Sequence, residues 1–473
     1  MAPRKPAGKD QITEWRLVER RGAVLKTGAV WTDAAGMSSS ASIAIGSGTA
    51  AARRPGNRWI DHWLDTVADL EALRAGHPMM DAVIEEIDGR MIRVGEQWLA
   101  DFASCNYLGF DLDPEIIESV PPLLERWGTH PSWSRLLGSP RPYEEIEERL
   151  TDLLGSEDSL VLPTITHIHA SVIPILAASG TIFLDSRAHK TIYDGCQVAR
   201  SRGSAVRRFR FEDPEHLDEL LSADHDRVRL VCMDGVNSMT GNASDVCAFA
   251  EVTRRHGALL YIDDAHGFGV IGERSPDELC SYGNRGNSIV RHFGESYEDI
   301  VLVGGFSKSY SSLLAFIACP TDVKNLLKVA APPYLYSGPS PVASLATVLA
   351  GFDVNASRGD QLRDTLHRHS ARVLEALGAL DVRTPNHSGL PIIEIPLRDH
   401  ARIDEVGRTL FNRGVYVTLA AYPLVPKDEV GFRAQLTAAN TDVEVDALIA
   451  VVTELAEQGE LQSASQWESQ GSE

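Results

Sequence analysis

The sequence predicts an α/β protein, with a large domain on a mainly parallel sheet and a smaller α/β domain at the C-terminal end. Three observations predict it. From about 158 to 320, short apolar runs alternate with helical stretches, the rhythm of a parallel sheet. Polar and glycine-rich segments follow those runs directly, and ligands sit beyond the carboxyl ends of such strands. After about 340 the rhythm changes to longer helical stretches with fewer strand-like runs.

The elements follow in order. Residues 1–58 carry ten Lys/Arg against four Asp/Glu, and 38–52 contain only Ser, Ala, Gly, Ile and Thr. Such a stretch buries too little apolar surface to offset its ordering entropy. We read 1–58 as a disordered basic extension, or an over-long start with Met37 or Met79 as the alternatives; Asp10, Glu14 and Glu19 argue against a transit peptide. Residues 59–130 read as an N-terminal helix and a small-domain segment. Ile60, Trp63, Leu64, Val67, Leu70 and Leu73 recur at helical spacing, 82–94 and 97–102 alternate like strands, and Asp113-Pro114 has the form of a helix start. The large domain is expected over 131–345. Its helix at 144–154 precedes strands at Leu160–Leu162, Ile182–Leu184, Val228–Met233, Leu259–Ile262 and Ile300–Val303. The small domain is expected over 346–458, with helices at 342–351 and 359–377 and strands at 390–395 and 415–419. Residues 459–473 form a polar tail.

Bulk properties exclude several classes. The 473 residues exceed one ordinary core. A net charge of −21 argues against nucleic-acid or anionic-membrane binding, which needs a basic surface. The six cysteines are scattered, with no C-x-x-C pair to suggest a zinc site or disulfide framework, and this fits a reducing cytoplasm. No apolar run is long enough to span a membrane.

The candidate chemistry lies after the strands. In Val301-Leu-Val-Gly-Gly-Phe-Ser-Lys-Ser-Tyr310, Gly304 and Gly305 are expected to turn the chain and present Lys308 at the end of a buried strand. Burial lowers an amine's pKa, and such a lysine forms a Schiff base with a carbonyl cofactor. Asp263-Asp-Ala-His-Gly-Phe-Gly269 gathers two acids, a histidine and two glycines; a carboxylate facing a pyridine nitrogen makes that ring an electron sink. A metal held by Asp263 and His266 is the alternative, but it lacks a third ligand. Asp234-Gly-Val-Asn-Ser-Met-Thr-Gly241 offers a loop of small residues. His189, in Asp185-Ser-Arg-Ala-His-Lys190, either stacks on a ring or is a strand-end histidine without a function.

With Asn106-Tyr-Leu-Gly109, these segments occur in the order and approximate spacing of the α-oxoamine synthases, and Tyr422-Pro-Leu-Val-Pro426, Arg433 and Leu436-Thr-Ala-Ala439 resemble that family's C-terminal motif. The resemblance covers about 60–458. It implies a fold-type-I pyridoxal-phosphate (PLP) dependent transferase, with the cofactor in the large domain. Lys308 would hold pyridoxal 5'-phosphate, Asp263 would pair with its ring nitrogen, His266 and Ser238 would contact the ring hydroxyl, and His189 would stack on the ring. Arg433 would bind the substrate carboxylate as a two-pronged donor, and Asn106 would reach the same site from the neighbouring subunit of a homodimer. The implied reaction condenses a small amino acid with an acyl thioester, on coenzyme A or an acyl-carrier protein, usually with loss of carbon dioxide, to give an α-aminoketone. An aminotransferase or lyase on the same fold, and a non-catalytic partner subunit, are the alternatives. The implied location is cytoplasmic, with no nucleic acid and no membrane span.

Several residues depart from the family pattern. The usual Gly-Tyr-x-x-Asn turn is Ile165-Thr-His-Ile-His169 here. Either His167 and His169 reshape the phosphate or thioester site, or Thr164, Thr166 and nearby backbone N–H groups hold the phosphate; Thr166 and His167 are therefore candidate cofactor contacts. Gly305 replaces a threonine, Thr240 an aspartate and Asn440 a histidine, and 281–298 reads as an insertion. Arg135 with Arg141 is the candidate basic patch for an acidic carrier.

Overall fold

The computed structural model describes residues 67–275 and 280–470. The chain divides into two units, Met1–Arg58 and Trp59–Glu473. The expected disordered extension at 1–58, and the first part of the expected helix from Trp59, lie outside the described residues. That helix is seen from Ala68 to Gly76.

Three strands open the described fold: β1 (Ile84–Asp88), β2 (Met91–Val94) and β3 (Gln97–Asp101). They form an antiparallel meander that β12 (Val415–Tyr416) extends in parallel. Asp113 caps the helix Pro114–Glu118 by accepting from the amides of Glu115 and Ile116, with proline at its first position.

The seven-stranded sheet contains β4 (Asp158–Leu162), β5 (Thr181–Asp185), β6 (Ala205–Phe209), β7 (Arg229–Asp234), β8 (Leu259–Asp263), β9 (Ile300–Gly305) and β10 (Ala315–Cys319), in the order β4-β10-β9-β8-β7-β5-β6. β6, β5, β7, β8 and β9 are parallel, and β10 runs antiparallel to both β9 and β4. Alternate residues feed two cores. Leu260 and Ile262 belong to one, Tyr261 to the other, and the same alternation runs through β9. Burial on both faces explains why these strands read as continuous apolar runs. β11 (Ile392–Pro396), β13 (Thr418–Ala420) and β14 (Gly431–Gln435) form a small antiparallel sheet, in the order β11-β14-β13.

Two expectations need correction. Instead of two helices at 342–351 and 359–377, one 38-residue helix runs from Val342 to Ala379. Polar residues along this helix face inward. Arg363 is fully buried and donates to the carbonyl of Gly269 at 3.0 Å and to Asn355 at 2.8 Å. Gly304 and Gly305 do not turn the chain; they lie within β9. A Cβ on Gly304 would stand 2.3 Å from the Phe316 ring, so glycine there reflects close packing rather than a turn. The 281–298 segment packs behind β8, where the Ile289 amide donates to Asp264 at 3.0 Å.

No helix among the described residues is long and apolar enough to cross a membrane.

Candidate active site

The carboxyl ends of β7, β8 and β9 meet at a cavity of about 290 Å³, small for a ligand pocket. Asp234 and Asp263 are register partners on adjacent strands, and both line it. Lys308 lines it from the turn after β9 and is half-buried, less enclosed than a strand-end position implies. His189, Thr166, Ser238 and His266 also face the cavity, so the structure brings most of the sequence-derived candidates together.

Asp263 is buried, with both carboxylate oxygens occupied. Oδ1 accepts from the Ala265 amide at 2.9 Å, and Oδ2 lies 2.9 Å from His169 Nε2. Burial pushes its pKa up, but the hydrogen bond from His169, with Lys308 and His189, outweighs burial and holds Asp263 below the ordinary carboxylate value. Asp263 is therefore an anion facing the cavity. Asp264 points to the opposite face of β8 and keeps its proton, because burial raises its pKa well above the ordinary value.

His266 is buried, and its Nδ1 lies 2.8 Å from the Tyr107 hydroxyl. Burial, then Lys308 and Arg433, depress the imidazole pKa well below its usual value, so the ring is uncharged. Burial also keeps the Tyr107 proton in place. Tyr107 therefore donates to Nδ1, leaving Nε2 as the donor of His266. Tyr107 belongs to the Asn106–Gly109 motif, but its partnership with His266 has no sequence signal.

His189 caps the helix Lys190–Ser201, and its ring Nδ1 lies 2.8 Å from Thr191 Oγ1. Burial lowers its pKa, against the opposing pull of Asp263. Its backbone amide donates to Asp234 Oδ1 at 3.1 Å. Asp234 Oδ2 is buried without a hydrogen-bond partner. Burial, then the Asp263 charge, push the Asp234 carboxyl well above its ordinary value.

One wall is the start of the helix Ile165–Ala177, where Thr164 accepts from the His167 amide as N-cap while Thr164, Ile165 and Thr166 line the cavity. Ser307 adds a hydroxyl that the sequence reading missed.

The structure does not bring every candidate to the cavity. His167 is exposed and does not line it. Asn106 donates to Asp111 at 2.9 Å and stays outside. Arg433 Nη1 donates to the Ser238 carbonyl, and its buried Nε has no partner. Asn440 is structural: its Oδ1 accepts from the Thr437 amide at 2.8 Å and from the Thr437 hydroxyl at 2.9 Å. The proposed carrier patch is absent at 135/141. Arg135 is buried on Glu147 and the Val161 carbonyl, and Arg141 pairs with Glu144 and Glu148. Among the described residues, no group of His, Cys, Asp and Glu has the makings of a metal site.

Residues 101–452 match the aminotransferase class I and II family. The 8-amino-7-oxononanoate synthase of Chromohalobacter salexigens is 35% identical over 352 residues, 74% of this chain and 87% of that protein. The serine palmitoyltransferase of Caulobacter vibrioides is 30% identical over 358 residues, 74% of this chain and 84% of that protein. The solved structure of Sphingomonas wittichii serine palmitoyltransferase matches with a TM-score of 0.77 at 25% identity, covering 85% of this chain and 99% of that one. The fold is that of the fold-type-I PLP-dependent transferases. The chain belongs to the aminotransferase class I and II family, in its α-oxoamine synthase branch.

Proposed function

We propose that the protein binds pyridoxal 5'-phosphate and condenses a small amino acid with an acyl thioester, releasing carbon dioxide and leaving an α-aminoketone. The observation that carries this reading is the anionic Asp263 sharing one cavity with the Lys308 amine. The relatives named as 8-amino-7-oxononanoate synthase and serine palmitoyltransferase support the reaction class.

The residues fit the cofactor. The open amides at the start of the helix Ile165–Ala177, with the hydroxyls of Thr164, Thr166 and Ser307, suit a phosphate. Asp263 suits a ring nitrogen that must stay protonated, the uncharged His266 and Ser238 suit the ring hydroxyl, and His189 suits the ring face. When bound, the cofactor supplies an electron sink for the amino acid's α-carbon. Lys308 Nζ would hold the cofactor and, once displaced by the amino acid's own amine, would be free to take the α-proton. Asp263 keeps the ring nitrogen charged. Arg433, with its unpartnered Nε, is assigned the substrate carboxylate.

We assign Asn106 to the site of a neighbouring subunit. Asn106 does not line its own cavity, and this with the exposed Trp133, Leu136, Leu137 and Leu313 supports a homodimer. A cytoplasmic location fits the same reading.

The test is to incubate the holoenzyme with amino acids and acyl-CoA or acyl-carrier thioesters. Joint release of free thiol and carbon dioxide is expected. Transamination yields neither, so amino-group transfer without thiol release contradicts the proposal.

A further inference from the structure

Beneath the cavity, His169 joins the two residues of β8 that share its face. Successive side chains on a strand alternate, so Tyr261 and Asp263 project to the same side. The helix Ile165–Ala177 packs there, and His169 lies one turn beyond Ile165, its cavity-lining residue. The imidazole bridges the pair: Nδ1 is 2.8 Å from the Tyr261 hydroxyl, and Nε2 is 2.9 Å from Asp263 Oδ2. His169 and Tyr261 are fully buried, among Ile168, Val172 and Ile173.

A buried imidazole among apolar side chains is costly unless both nitrogens are partnered. Here both are, and the partners fix their roles. Burial keeps the Tyr261 proton in place, so that hydroxyl donates and Nδ1 accepts. The ring proton then sits on Nε2 and is directed at Asp263. With the Ala265 amide on Oδ1, each carboxylate oxygen has one fixed donor. Asp263 is also faced by Lys308, His189 and Asp234, and none of these is hydrogen-bonded to it.

We propose that His169, braced by Tyr261, is a positioning residue that holds the Asp263 carboxylate in one orientation, and that this bridge governs how firmly the ring-nitrogen end of the cofactor is bound. The inference rests on the cofactor reading above and concerns a residue that does not itself reach the cavity. Without the bridge, Asp263 loses a hydrogen bond and becomes free to turn. The ring nitrogen then keeps its proton less firmly and withdraws less charge from the lysine-bound end.

The test compares His169→Leu, His169→Gln and Tyr261→Phe with the wild type. Cofactor dissociation is measured by titrating each apoprotein, and the pH midpoint of the visible band is measured on each holoprotein. His169→Leu is expected to weaken cofactor binding about tenfold or more and move the midpoint up. His169→Gln, whose Nε2 can donate to Asp263, is expected to return to within about threefold of wild type. Tyr261→Phe is expected to weaken binding less than His169→Leu. Nitrogen-15 NMR of the cofactor-free wild type reads the bridge directly, with the Nε2–H tautomer expected. A wild type that forms no visible band contradicts the function proposed above, while the NMR reading still tests the bridge. Wild-type behaviour of His169→Leu, equal losses in the Leu and Gln variants, or an Nδ1–H tautomer overturns the inference.

Discussion

Gly305 lies against Ile165: a Cβ at position 305 would stand 2.7 Å from Ile165 Cδ1. A threonine there meets the end of the isoleucine that opens the facing helix, which must shift to admit it. The hydroxyl is supplied nearby, since Ser307 Oγ lies 3.7 Å from the same point and lines the cavity. Gly305→Thr is expected to destabilise the protein by about 1–3 kcal/mol through overpacking, and Ile165→Ala in the same chain to recover part of that loss. Urea denaturation of the single and double variants checks both effects.

Arg363 ties the long helix to the site. It donates to the carbonyl of Gly269, the last residue of the Asp263–Gly269 segment, and to Asn355. Arg363→Leu leaves those buried acceptors without this donor and is expected to cost about 2–4 kcal/mol. Thermal unfolding reads the loss.

Glu394 sits opposite Arg433 in the small sheet and is 2% exposed. Burial, then the charge of Glu429, push its carboxyl up from 4.5 to about 7. In the unfolded chain it ionises near its ordinary value. Between those values the folded state binds more protons, so its stability falls as pH rises. Glu394→Gln removes that cost. The variant is expected to match the wild type near pH 4 and to exceed it by about 1–3 kcal/mol above pH 7. Denaturation at several pH values checks the sign, and a gain at low pH alone contradicts it.

The legible parts of this protein are those that a single local property specifies. β4, β5, β7, β8 and β9 read as apolar runs because the sheet is buried on both faces. β6 carries no apolar run because it is an edge strand, Ala-Val-Arg-Arg-Phe, with mostly exposed side chains. β10, Ala-Phe-Ile-Ala-Cys, is a buried apolar run like the others and is absent from the sequence expectation; only its antiparallel direction is decided by distant partners. The expected break at 352–358 is absent because those residues continue the helix, where Val354 and Asn355 are buried. Lys308, Asp263, His266 and His189 are legible as candidates because each stands at, or a few residues beyond, the carboxyl end of a strand. His169 stands out in the sequence only as a departure from the family pattern, since its tie to Asp263 spans 94 positions and depends on how a helix packs on a strand.

Arg433 is expected to act on the amino acid rather than on the cofactor. Arg433→Lys keeps the charge but loses the planar fork. It is expected to raise KM for the amino acid about tenfold or more, leaving the visible cofactor band unchanged. Steady-state kinetics and absorbance spectra separate the two effects. Loss of the band assigns Arg433 to cofactor binding instead.

The most direct measurement is to trap the lysine. The holoprotein is reduced with borohydride, digested and sequenced by mass spectrometry. A pyridoxyl-phosphate adduct is expected on Lys308 and absent from Lys308→Ala. An adduct on a different lysine, or none on the reduced wild type, contradicts the assignment of Lys308 as the residue that holds the cofactor.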